Sequence, residues 1–186
     1  MRYGEIEKAI ASLHGVTEES SGIFRGRLRH FQKLGIVPSS PGRGAKIDYH
    51  RKAVVDWAIA FELAELGIAP ELIKFCIQMY SMTIYAFFES PPASDEDVLF
   101  CFDASFLTAH VKMKSGMFDS MLSGRAPLSM PEMEPVARSV SMLPSFFADP
   151  HVRRVSAINL SRLKCELGKA LGIEWGPPIS PRDWIR

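Results

Sequence analysis

Only three cysteines occur in 186 residues, at positions 76, 101 and 165. An odd number so widely spaced makes no disulfide framework, and no two of them share a zinc-ligand spacing. They read as small hydrophobes of a reduced interior. Long apolar runs are missing too: none approaches the ~20 residues of a membrane helix. The polar opening Met1-Arg2-Tyr3-Gly4-Glu5 lacks a signal-peptide pattern. The expectation is a cytoplasmic protein without a membrane partner. Catalytic signatures are absent as well. Gly42-Arg43-Gly44 has neither the Lys-Ser/Thr ending nor the strand–loop–helix order of a phosphate loop. Of the residues that catalysis would need, Cys101, Asp103, His110 and His151, none belongs to a recognisable constellation. His110 sits in an apolar alternation as a structural histidine, and Asp103 and Asp119 lie near no obvious partner, so no enzyme, metal or cofactor is expected. No internal repeat is present.

Net charge is nearly absent, with 22 Lys and Arg against 21 Asp and Glu, yet it is unevenly distributed. From Phe24 to Lys52 there are eight Lys or Arg and a single acid, Asp48. Such clustering is what phosphate contacts with DNA require. Hydrophobic residues make up 47% and charged residues 23%, an ordinary globular balance, and the length suits one domain or two small ones.

Helical periodicity predicts a first helix over Gly4–His14, with Ile6, Ala9, Ile10 and Leu13 on one face and Gly15 ending it. Thr17 or Ser21 is placed to cap the next helix. That helix, Ile23–Leu34, has Phe24, Leu28, Phe31 and Leu34 as its apolar stripe. Arg25, Arg29 and Lys33 recur every four residues on the other side, flanked by Arg27, His30 and Gln32. A helix that buries phenylalanines while presenting arginines suits the major groove. Val37–Tyr49, with its prolines and glycines, reads as a β-hairpin wing offering Arg43 at its tip and Lys46 on its return strand. Arg51–Leu66 is apolar around much of its circumference and belongs inside. Pro70 starts a very apolar helix to Phe88, which needs a second domain or subunit to cover it. A basic helix, a basic hairpin and a supporting helix in that order make a winged helix-turn-helix.

Three passages carry a family resemblance. Leu28-Arg29-His30-Phe31-Gln32-Lys33-Leu34-Gly35-Ile36 stands where MerR-type transcription regulators have their recognition helix. Lys46-Ile47-Asp48-Tyr49 is similar to the motif that ends their wing, and Leu66-Gly67-Ile68-Ala69-Pro70-Glu71-Leu72-Ile73 resembles the next helix–turn–helix passage. The resemblance covers roughly residues 3–78. It implies a winged helix on double-stranded DNA, Arg29 and His30 near phosphates or base edges, Arg43, Lys46 and Tyr49 in the wing, and a homodimer on a two-fold operator. That family's long dimerising coiled coil has no counterpart in this pattern, so its effector and metal-sensing chemistry is not implied.

Ser90–Asp97 reads as a linker. Beyond it, Val98–Phe102, Leu107–Met113 and Arg153–Ile158 are predicted strands, Lys114–Leu128 is loop-like, and the prolines of Pro131–Pro150 permit only short helices. Asn159 caps a leucine-striped helix, Leu160–Leu171, and the tail from Gly172 is expected to be extended. The expected fold is therefore mainly α: a winged helix-turn-helix over 1–90, then a small α/β or α+β module over 98–186. The expected function is sequence-specific regulation of transcription in the cytoplasm, at the nucleoid. A protein partner or small-molecule effector would be taken through residues 70–186. The alternatives are a protein-interaction adaptor and an excisionase-like architectural DNA-binding factor.

Overall fold

The computed structural model describes residues 1–37, 48–90, 97–103, 136–142, 144 and 155–175. Their architecture is mainly helical. Helices α1 (Tyr3–Leu13), α2 (Ser21–Leu34), α3 (Arg51–Glu65) and α4 (Pro70–Glu89) come first. Strands β1 (Val98–Asp103), β2 (Val136–Ser139) and β3 (Val155–Asn159) then precede α5 (Leu160–Leu171).

α3 is the hub. Val54, Val55, Trp57, Ala58, Ile59, Ala60, Phe61 and Leu63 are all buried, so the helix is enclosed on every side, as its apolar circumference requires. α4 packs along it, and α1 packs on both α3 and α5. Pro70 opens α4 at a position where its missing N–H costs no helical bond. α2 ends at Gly35, whose left-handed φ of 69° turns the chain so that Ile36 N–H returns to the Phe31 carbonyl.

The sheet is antiparallel throughout, in the order β2-β1-β3. Phe100 of the central strand faces Ala137 on one side and Ile158 on the other. β2 is a strand within Pro131–Pro150 that the sequence reading did not find: four residues are too few to show a period, and pairing with β1 fixes them as a strand. The predicted strand Leu107–Met113, the loop Lys114–Leu128 and most of the wing lie outside the described residues.

The connection before α2 also differs in detail. Neither Thr17 nor Ser21 caps α2; Ser20 holds the N-cap position, Thr17 and Ser20 bond to each other, and Ser21 Oγ donates to the Glu18 carbonyl. At α5 the expected cap is present: Asn159 Oδ1 accepts the Arg162 N–H at 2.8 Å. The chain just after α5 is packed rather than loose. Trp175 lies edge-on to Phe88 with ring centroids 5.1 Å apart, and its indole rests on Gly168, where a Cβ would sit 3.2 Å from the ring. Residues on both sides of the predicted linker thus enter one apolar cluster, which joins Ile6, Trp57 and Phe88 to Phe100, Leu160, Leu163 and Leu167.

Candidate nucleic-acid interface

The amphipathic pattern of α2 sets its orientation. Phe24 and Phe31 press on Phe61 of α3, with ring centroids 5.0 and 5.3 Å away, and Leu28 is buried between them. With that face fixed inward, Gly22, Gly26, Arg29, His30 and Lys33 fall on the exposed arc.

Arg25, Arg29 and Lys33, evenly spaced in sequence, divide into two groups in space. Arg25 sits on the flank toward α1, where its Nε donates to Glu7 Oε1 at 3.1 Å. On the opposite flank Arg27 pairs with Glu65 at the end of α3. These two ion pairs brace α2 against its neighbours. Arg51 and Lys52 are likewise engaged, Arg51 lying 3.7 Å from the buried Glu89 and Lys52 2.7 Å from Asp56. Four cations of the basic segment are therefore balanced by acids that are distant in sequence or, for Lys52, one turn along the helix. Among the described residues, Arg29 and Lys33 carry no ion pair.

A cleft of about 330 Å³ opens between α1 and α2, lined by Tyr3, Glu7, Arg25, Leu28, Arg29 and Gln32. Gln32 Nε2 donates to the Tyr3 hydroxyl at 3.1 Å. Burial raises the Tyr3 phenol above its ordinary value, with the Gln32 bond opposing, so it stays a protonated donor. A guanidinium beside a phenol O–H can receive an anionic oxygen, although Glu7 on the same wall offsets part of the charge.

Arg43 and Lys46 lie outside the described residues. Tyr49 is described and is buried, a correction to its expected place in a DNA-facing wing. Its N–H donates to the Met1 carbonyl at 2.8 Å, and its ring lies 6.3 Å from that of Tyr3. The aromatic therefore anchors the return of the segment to the N-terminus, and burial raises its phenol. Sequence reading missed Glu7, Glu65 and Tyr3 as parts of this surface, since nothing local marks an acid as the partner of an arginine 18 or 38 residues away.

Cys101 is buried in β1. No group of three His, Cys, Asp or Glu among the described residues is arranged to hold a metal ion. No helix among them is long and apolar enough to cross a membrane. Compared with known proteins, the chain matches no family model and no curated sequence.

Proposed function

We propose that the chain is a sequence-specific double-stranded DNA-binding regulator of transcription, built as a MerR-like winged helix over its first 90 residues. It lays α2 in the major groove, with the basic segment 37–49 as the wing and a homodimer as the binding unit. One observation carries the reading: α2 buries Phe24, Leu28 and Phe31 while its outer face holds Arg29, His30 and Lys33, with neither cation neutralised among the described residues. A surface helix that leaves like charges unpaired gains from an incoming polyanion. The order α1–α2–basic segment–α3–α4 supports the same reading. Dimerisation follows from affinity, because one reading helix makes too few contacts for specific binding.

The test is fluorescence anisotropy of the full chain with its own upstream region and with scrambled duplex, across a salt series. Tight, salt-steep binding that prefers the native region is the expected result. Equal binding by wild type and the Arg29→Ala, Lys33→Ala double variant would overturn it. A protein-interaction adaptor is the second reading, favoured by the exposed Met79 and Met82 on α4 and by the four cations already paired. Absence of duplex binding at ~0.1–0.2 M salt would select it.

A further inference from the structure

We propose that Ile23 determines sequence specificity by contacting the 5-methyl group of a thymine in the major groove; this rests on the DNA-binding reading given above. Ile23 is 73% exposed, the most exposed of the large hydrophobic side chains described. It belongs to the first turn of α2 and lies on the same side of the helix as His30, two turns further on. Among the described residues, no apolar neighbour covers it. A β-branched residue gains no helix propensity there, and Ile23 belongs neither to the described core nor to the side chains packed against it.

Among the described residues, nothing crowds the helix backbone beside it. At Gly22 and Gly26, before it and one turn after it, an added Cβ would meet nothing within 4 Å. A surface approaching this end of α2 therefore reaches the helix backbone and the isoleucine together. Helix-turn-helix proteins direct the N-terminal residues of the reading helix at base edges. In the major groove those edges present hydrogen-bond donors and acceptors with one apolar exception, the thymine methyl. An isoleucine aimed there has that single matching partner. Arg29, His30 and Lys33 along the same face supply charge and hydrogen bonds, leaving the apolar contact to Ile23.

The experiment begins with the tightest duplex that the full chain recovers from a random-sequence pool. Each thymine of that duplex is then replaced singly by deoxyuridine, which removes only the methyl. For the wild-type chain, one replacement is expected to weaken binding about fourfold, the worth of one methyl taken out of an apolar contact. Ile23→Ser, an exposed substitution that leaves the melting temperature unchanged, is expected to bind the thymine and deoxyuridine duplexes equally at that position. A thymine preference retained by Ile23→Ser, or no preference at any position in wild type, overturns the inference while leaving DNA binding intact. Failure to recover any duplex overturns the proposed function, and the role of Ile23 with it.

Discussion

Arg29 and Lys33 are the described cations of the basic segment that form no ion pair among the described residues, so a phosphate reaches them without first breaking one of those pairs. Arg29→Ala and Lys33→Ala should each lower the slope of log affinity against log salt by about 1. Arg25→Ala should lower it less, because Glu7 already balances that charge, and Glu7→Gln should strengthen binding by releasing Arg25. Anisotropy titrations at several salt concentrations separate the four. If Arg25→Ala costs as much as Arg29→Ala, the Glu7 pair does not survive in the complex. Breaking such exposed pairs changes stability by only ~0–1 kcal/mol, so folding does not confuse the comparison. His14 behaves differently. It lies 3.8 Å from Glu62, close enough for an ion pair, but burial first of all lowers its imidazole below the ordinary value and raises the Glu62 carboxyl. Both shifts favour the uncharged forms, so the contact is no salt bridge at neutral pH. Because the folded state holds the His14 proton less tightly than the unfolded chain does, the unfolded chain binds more protons as pH falls. The contribution of neutral His14 is therefore full above about 6.5 and is lost as pH falls from there through the lowered value. Glu62 has the opposite sign, its contribution being full at low pH and lost as pH rises. His14→Phe should flatten the fall in stability that begins below about pH 6.5, measured by urea titration at a series of pH values. An unchanged slope would mean that His14 titrates normally in the fold.

At the scale of the element, α2 holds a residue that stability alone would not select. Gly26 lies in the middle of an exposed helical face, where glycine costs about 1 kcal/mol relative to alanine. Gly26→Ala meets no neighbour and should raise the melting temperature by roughly 2–4 °C. It should also weaken duplex binding if this face approaches DNA closely. Higher stability with unaltered binding would place the nucleic acid elsewhere on the molecule. The helices were legible because each carries several turns of period-3.6 burial closed by a recognisable end: Gly35 after α2, Pro70 at the start of α4, Asn159 before α5. The apolar, alternating segments that became β1 and β3 were also legible. β2 was not, since Val136-Ala137-Arg138-Ser139 has no signal of its own and owes its conformation to β1. The site was legible in part. The sequence shows which side chains of α2 are cationic and which face is buried. It does not show that Glu7 and Glu65 take up two of them, because that depends on how α1 and α3 pack on α2. Tyr49 was misjudged for a related reason: a motif position says nothing about which way an aromatic ring turns.

Across the whole molecule, the segment that reads as a linker does not separate two cores. Leu160, Leu163 and Leu167 of α5 share one cluster with Ile6 and Ile10 of α1 and Trp57 of α3. Polar contacts cross the same junction. Arg51, at the start of α3, donates to the Glu174 carbonyl at 3.2 Å and lies 5.7 Å over the Trp175 ring. Lys164 of α5 donates to the Ser90 carbonyl at 2.7 Å, beyond the end of α4. Tyr85, near that end, has its phenol pushed up to about 12 by burial foremost and by the adjoining Glu89. The basic segment leads directly into Arg51, which these contacts tie to the chain just after α5. Such shared burial predicts a single cooperative transition for the described elements. In a Trp175→Phe, Trp184→Phe background, Trp57 is the remaining tryptophan and reports α3 alone. Its fluorescence and the far-UV ellipticity should then fall together on heating. Leu163→Ala, which empties a buried site on α5, should cost about 2–5 kcal/mol and shift both signals to the same lower temperature. If ellipticity falls earlier in Leu163→Ala while the Trp57 transition stays in place, α5 and the sheet melt independently. A signal received by residues 98–186 would then have no route through the core to α2.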